Sequence, residues 1–466
     1  MVAPKFISSQ VLEWPRLRTK RKAMLVLACA INLLVATLST AQVSERARKV
    51  LADREKVTGE GFWIYNDLQE GFRRASESGK PMVVVLRCLP CEECVKLDDD
   101  VVDRDPVIRP LLEQFVCVRL VSTNGLDLSL FQFDTDQSFA VFFLRSDKTI
   151  YGRFGTRSHR TDWLGDVSLP GFAEALRGAL SLHRSWPTEQ ASLAAKRGPA
   201  PTYGRPELHP SLMEKYAYTS SIDYEGDVVK SCIHCHQIGD AIRDEYRASG
   251  KPIPEEVLYP YPHPKSIGIV FDPKFRATIS EVTRDSPASA AGLMMGDKIL
   301  RMNGQPMLSI ADVQWVLHNT PAAGGNIDLQ VTRENKTMPL TLTLEAGWRR
   351  SSDIGWRASS WGLRRMATGG MKLELAASKD QSAASDATRP MALRVASVGQ
   401  YGPHAAARNA GFKKDDVLIA VDDLTTLHSE ADFMRYCLTK KKPGEVAKIR
   451  LLRDKREMTL DLPMQP

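Results

Sequence analysis

The feature that most limits how this chain can fold is a repeat inside its last third. The stretch Ser286-Pro287-Ala288-Ser289-Ala290-Ala291-Gly292-Leu293-Met294-Met295-Gly296-Asp297-Lys298-Ile299-Leu300-Arg301-Met302-Asn303-Gly304 returns in weaker form as Gly402-Pro403-His404, followed by Ala410-Gly411-Phe412-Lys413-Lys414-Asp415-Asp416-Val417-Leu418-Ile419-Ala420-Val421-Asp422-Asp423. A helix pattern follows each copy, at 310–318 and 429–438, and then a pair of strand patterns, at 327–344 and 447–462. Duplication of such a block means two copies of one small unit rather than a single large core.

Both copies resemble the PDZ signature SPA-x-x-AGL-x-x-GD-x-I-x-x-x-NG, the first more closely. The resemblance implies peptide binding by strand addition, with the amides of a Gly-containing loop receiving a terminal carboxylate. In the first copy Ser266-Ile267-Gly268-Ile269-Val270 fits that loop, so Ile267, Gly268 and Ile269 are expected at the carboxylate, and Val313, Val316 and Leu317 along the groove. In the second copy Gly369-Gly370-Met371-Lys372-Leu373 is the comparable stretch, and a packing role is as well supported as peptide binding.

A chain of 466 residues exceeds what one hydrophobic core holds, and about three or four units are expected. Arg16, Arg18, Lys20, Arg21 and Lys22 precede an apolar run at 23–38 and then Ser39-Thr40-Ala41, the pattern of an export signal. Residues 1–41 are read as a signal peptide or, uncleaved, a signal anchor, which leaves membrane anchoring through 23–38 open. Cys29 lies in the apolar run without a lipoprotein pattern. Export places the mature chain outside the cytoplasm, in a periplasm-like compartment that permits disulfides and covalent haem. The net charge of +7 does not point to nucleic acid, because the basic residues are dispersed among 56 acidic ones.

From 58 to 190 strand and amphipathic patterns alternate as in an α/β unit. A buried strand at 82–86 leads into Cys88-Leu89-Pro90-Cys91-Glu92-Glu93-Cys94-Val95-Lys96-Leu97, and Asp105-Pro106-Val107, a second strand at 115–121, a hairpin at 140–154 and a helix at 171–183 follow. Together with Gly79-Lys80-Pro81 this resembles the thioredoxin-like family. The resemblance makes Cys91 and Cys94 the dithiol at a helix start, with Cys88 as an alternative partner of Cys91. Glu92 and Glu93 should raise the thiol pKa, with Arg87 offsetting part of this. Leu89 or Pro90 stands where the family has Trp, and Ser138-Phe139 where it has a cis-proline facing the dithiol, which leaves a structural disulfide open. Cys117 and Cys437 read as buried residues.

The segment 191–210, rich in Pro, Gly, Ala and basic residues, reads as a linker, and 348–368 as a second one before the repeat unit at 369–466. Between 211 and 262, Cys232-Ile233-His234-Cys235-His236 has the CxxCH spacing by which two thiols bond both haem vinyls and the next imidazole, His236, ligates iron. Haem c is therefore the cofactor expected, with His263, His209 or Met213 as candidates for the distal position. A disulfide or half of a zinc site are the alternatives, and no nucleotide cofactor is implied.

The fold class expected is thus multidomain, α/β and β-rich: a thioredoxin-like α/β domain, a small helical CxxCH segment at 211–262 and two PDZ-like domains, the first at 263–347. This order resembles the Trx7/PDZ domain-containing (seleno)protein family, whose domains imply an extracytoplasmic thiol-disulfide oxidoreductase or electron-transfer protein. Its partner would be an exported or membrane protein offering a C-terminal or extended peptide to the first PDZ unit. The alternatives are a noncatalytic scaffold and a haem peroxidase-like enzyme. No Gly-x-Ser-Gly-Gly nucleophile loop of a serine protease is found.

Overall fold

A computed structural model describes residues 44–87, 105–157, 166–352, 354–355, 357, 360–376 and 391–466. Lys49–Pro466 form one unit, and of the preceding Met1–Arg48 only residues 44–48 are described. The signal segment 1–41 and the cysteines at 88, 91 and 94 lie outside the described residues.

The first part of the chain runs α1 (Glu45–Glu60), β1 (Ile64–Tyr65), α2 (Leu68–Ser78), β2 (Met82–Arg87), α3 (Ile108–Leu112), β3 (Val116–Leu120), β4 (Gln137–Leu144), β5 (Ile150–Arg157) and α4 (Leu169–Arg184). The strands stand in the order β1-β3-β2-β4-β5, with β1, β3 and β2 parallel and β4 and β5 antiparallel. Every residue of β2 is buried, as befits a central apolar strand covered on both faces. Its side chains alternate: Val83 and Val85 join Cys117, Val141 and Phe143 beneath Phe172 and Leu176 of α4. Met82, Val84 and Leu86 face the other way, with Val118, Phe142 and Ala75 of α2. This is the thioredoxin-like order expected, and Cys117 lies buried in β3.

Two β-rich units follow the helices α5 (Gln190–Leu193), α6 (Pro210–Tyr216), α7 (Cys235–Ala248) and α8 (Glu255–Leu258). The first comprises β6 (Ile269–Phe271), β7 (Ile279–Val282), α9 (Pro287–Ala290), β8 (Lys298–Met302), β9 (Gln305–Pro306), α10 (Ile310–His318), β10 (Gly325–Arg333) and β11 (Lys336–Leu344). The second comprises α11 (Ser360–Thr368), β12 (Met371–Leu375), β13 (Leu393–Val398), α12 (Ala406–Asn409), β14 (Val417–Val421), α13 (Glu430–Lys440), β15 (Val446–Arg453) and β16 (Arg456–Pro463). The sequence repeat is a repeat of contacts. Asp297 takes two hydrogen bonds of 2.7 Å from Arg333, which also donates to the Gly292 carbonyl at 2.8 Å. Asp416, Arg453 and the Gly411 carbonyl repeat the arrangement at the same distances. A fork of this kind ties the turn after the small-residue helix to the closing hairpin in each unit.

The thioredoxin-like unit and the first β-rich unit share one apolar cluster, running from Phe143 and Phe172 to Ile269, Val313 and Leu342. Glycines let the two approach. A Cβ on Gly171, at the start of α4, would lie 2.2 Å from the Pro273 carbonyl oxygen, and one on Gly152 of β5 would lie 2.6 Å from a methyl of Leu308. The free edge of β5 is capped by the start of α10: the Arg153 N–H donates to Asp312 at 3.2 Å, and the Ser309 hydroxyl donates to the Arg153 carbonyl at 2.6 Å.

The two expected linkers are packed segments. In 191–210, Lys196 is wholly buried and its Nζ donates to the equally buried Asp312 at 2.7 Å, while the Arg153 guanidinium donates to the Lys196 carbonyl at 2.6 Å. The small residues around it let the chain lie flat, and the Trp315 indole donates to the Ala195 carbonyl at 3.0 Å. In 348–368, Arg349 is buried and donates to the carbonyls of Tyr259, Leu317, His318 and Thr320, and α11 belongs to the core of the second β-rich unit. Basic residues read as solvated linker chemistry here satisfy buried carbonyls and a carboxylate, a use that composition does not reveal. Cys437 is buried in α13 as expected.

Replacing Lys196 by Met strands the Asp312 carboxylate in the interior. Urea unfolding should show a loss of about 3–5 kcal/mol, of which only part returns in Lys196→Met/Asp312→Leu, because the double variant leaves the Arg153 and Leu308 amides without their acceptor. His318, which stacks on Tyr261 with centroids 4.0 Å apart, has its pKa pushed down from 6.5 to about 3, first by burial and then by the Arg349, Arg357 and Arg153 charges. Its neutral form contributes stability that is whole above pH 6.5 and lost as pH falls toward 3. His318→Gln should therefore flatten the acid limb of a pH-stability curve over that window.

Candidate functional site

The parallel strands β1, β3 and β2 end at one edge of the thioredoxin-like sheet, and the Cys88–Cys94 stretch leaves directly from Arg87 at the end of β2. Arg87 is buried, with Nη2 2.5 Å from Asp53 of α1, and Asp53 also lies 3.6 Å from Arg119 of β3. The Arg87 charge thus has a carboxylate partner of its own, which limits the compensation of Glu92 and Glu93 expected from it. Ser138-Phe139 lies within β4 at an irregularity in the β4–β5 register, with Phe139 paired to Arg87 across the sheet, so the place of a cis-proline is taken by strand.

The CxxCH segment closes the same edge. The Ile233 N–H donates to Asn124 at 2.8 Å, and the Thr123 N–H and hydroxyl both donate to the Ile233 carbonyl at 3.0 Å, stitching the segment to the turn after β3. Cys235 opens α7, with His234 at the N-cap in a capping box with Gln237. Cys232 is buried, its sulfur 3.8 Å from the Val121 carbonyl, and half-buried Cys235 packs with Ile238 and Ile242 on the apolar face of the thioredoxin-like sheet. Burial raises the pKa of both thiols; that of Cys235 reaches about 12, helped by Cys232 and Asp136 nearby. The His236 ring, 43% exposed, sits 3.3 Å from Asp240 and parallel to His234.

A haem would need both sulfurs and the imidazole to face one space large enough for a macrocycle. Instead both sulfurs pack against the thioredoxin-like unit while the imidazole meets Asp240 at the surface, so the described arrangement does not fit the group. Two of the three distal candidates, His209 and His263, are engaged by carboxylates elsewhere. His209 bonds Glu245 at 2.6 Å, about 13 Å farther along α7 at a rise of ~1.5 Å per residue. His263 lies 3.2 Å from Asp166 and accepts the Lys265 N–H, and Met213 is 53% exposed on α6.

The side chains expected along the peptide groove of the first β-rich unit are core residues. Ile267, Ile269, Val313, Val316 and Leu317 are all buried in the cluster shared with the thioredoxin-like unit, and the Gly268 N–H is bonded to the Lys265 carbonyl at 3.1 Å. The apolar pattern of a ligand groove is the same pattern that a core needs. Sequence reading missed Asp312, Lys196 and Arg153, and also the buried Arg357, which bridges Asp134 at 2.6 Å and Asp136 at 3.1 Å. Their partners lie far away in the chain, and no local spacing signals them.

Iodoacetamide at pH 8 should leave Cys232 and Cys235 unmodified in the native chain and label both after denaturation, read by mass spectrometry of tryptic peptide 231–243. Protonated burial contributes stability below the ordinary thiol value of 9, and that contribution should fade as pH rises toward 12.

The thioredoxin-like family pattern matches residues 63–146, and the PDZ domain pattern matches 255–344 and 372–464. Among curated proteins, the probable periplasmic serine endoprotease DegP-like of Pseudomonas putida (strain W619) is 38% identical over 79 residues, covering 17% of this chain and 16% of that protein. The serine protease Do-like HtrB of Bacillus subtilis (strain 168) is 35% identical over 74 residues, 16% of each chain. The regulator of sigma-E protease RseP of Salmonella typhimurium (strain 14028s / SGSC 2262) is 34% identical over 71 residues, 15% of each. The chain spans about a sixth of the length of these relatives, and the DegP-like matches fall in the PDZ regions. Taken with the strand order and the repeated Asp-Arg fork, these matches make the chain a multidomain protein that joins a thioredoxin-like domain to two PDZ domains, the composition of the Trx7/PDZ family that its sequence resembles.

Proposed function

We propose that this chain is an extracytoplasmic redox protein whose thioredoxin-like dithiol, Cys91 with Cys94, exchanges electrons with disulfides or thiols of a protein client. The observation that carries this reading is the thioredoxin-like sheet itself, whose central strand β2 runs straight into the cysteine-bearing stretch. In the exchange two thiols lose two electrons and two protons as their disulfide forms, and a client disulfide gains them as two thiols. The export-type N-terminus and the PDZ relatives described as periplasmic support the compartment. Among the described residues no helix is long and apolar enough to cross a membrane.

The absence of a facing cis-proline favours a dedicated client over general disulfide exchange. With 255–344 docked on the thioredoxin-like unit, that PDZ domain acts as a brace, and client contact falls to other surfaces. A second reading, haem c on Cys232 and Cys235 with His236 at iron, rests on the CxxCH spacing alone.

After equilibration of the full chain in glutathione redox buffers and alkylation of free thiols, mass spectrometry should show a Cys91–Cys94 dithiol-disulfide transition that is absent in Cys91→Ser and retained in Cys88→Ser. No such transition in the wild type, or its loss in Cys88→Ser alone, would overturn the dithiol assignment. A pyridine haemochrome spectrum of protein made in a host competent in cytochrome c maturation should show no c-type band. A band that disappears in Cys232→Ala/Cys235→Ala would establish the haem reading instead.

A further inference from the structure

The second PDZ domain carries a helix that its family pattern does not include. The match begins at residue 372, yet α11, immediately before it, is part of the domain core. Leu363, Met366 and Ala367 form an i, i+3, i+4 stripe, fully or almost fully buried with Phe433, Met434, Cys437 and Leu438 of α13 and with Met371 and Leu373 of β12. The helix therefore packs on both walls of the cleft, edge strand β12 and helix α13, between which an extended peptide would lie in a PDZ domain.

The polar contacts say the same. An added strand would need the outward amides of β12 and the amides of the loop before it. The Leu373 N–H already donates to the Glu430 carboxylate at 2.9 Å, and the Gly370 N–H to the Arg364 carbonyl of α11 at 3.0 Å. Glu430 also takes both arms of Arg364, at 2.9 and 2.7 Å. One carboxylate thus holds the helix and satisfies the strand edge together, so the cleft accommodates a helix and leaves a strand without its donors.

We propose that the cleft between β12 and α13 is a helix-binding groove, recognising an amphipathic helix with apolar residues at i, i+3 and i+4 and an arginine at i+1, and that α11 is its resident ligand. Glu430 reads the arginine, and Phe433, Met434, Cys437 and Leu438 read the apolar stripe. A helix of nine residues is unstable by itself in water, so α11 is held by its tertiary contacts: those above, Arg365 bonding Asp244 of α7 at 3.2 Å and the Pro466 carbonyl, and Trp361 against His404. A helix in trans with the same pattern can therefore replace it.

The test uses the full chain carrying Leu363→Asp/Met366→Asp, which removes the resident stripe, and a fluorescein-labelled peptide with the sequence of residues 360–370. Anisotropy should show at least tenfold tighter binding to this variant than to the wild type. The gain should be lost when Glu430→Ala is added, and a peptide carrying Arg365→Pro, which cannot stay helical, should not bind. Equal binding of the proline peptide would show strand-like recognition and overturn the proposal, as would no difference between variant and wild type. Hydrogen exchange on the wild type provides a readout independent of the variant's folding. The amides of 363–370 should open and exchange well before those of β14 and β15, and equal protection would exclude replacement of α11.

Discussion

The buried carboxylate of Asp312 is the contact on which the arrangement of the first two domains depends. It accepts the Lys196 ammonium, the Arg153 amide of edge strand β5 and the Leu308 amide before its own helix, so three segments distant in sequence meet on one side chain. A carboxylate in such a place is tolerable only when fully partnered, and each partner is in turn fixed by it. The result is an edge strand of the thioredoxin-like sheet that is covered by a PDZ helix rather than left open to another chain. It also explains why the segment 191–210 is ordered despite a composition that suggests a linker.

An acid at the start of the corresponding helix performs a related task in the second PDZ domain. Glu430 in the first turn of α13 caps the edge amide of Leu373, as Asp312 in the first turn of α10 caps that of Arg153. In one copy the covered strand belongs to the neighbouring domain, and in the other it is the domain's own. The duplicated unit has thus been turned twice toward covering strand edges, which places the PDZ domains in the framework of the molecule.

Helix α7 links the CxxCH segment to this framework. Its first turn seats Cys235 on the thioredoxin-like sheet, and near its end the buried Arg247 donates to the carbonyls of Lys441 and Gln465 at 2.8 and 2.6 Å. The segment 211–262 has only a small apolar cluster of its own, Leu212, Ile233 and Ala241, and takes its order from the domains on either side. In this packing the CxxCH motif forms a joint between domains.

The sequence by itself determined the domain types. The alternating apolar strands, the helix at 310–318 and the paired Gly-Asp repeat each express a local periodicity or a short-range turn, and these survive folding almost residue for residue. Burial of Cys117 and Cys437 followed from the same patterns. Tertiary structure alone decided what the exposed-looking segments and the functional motifs do. Whether Val313 and Leu317 line a groove or a core, whether Lys196 and Arg349 meet water or a buried acceptor, and where the sulfurs of Cys232 and Cys235 point are properties of partners about 30 to more than a hundred residues away in the chain. Apolar and basic side chains carry no mark of which partner they will find, because burial and charge pairing act through space and not along the chain.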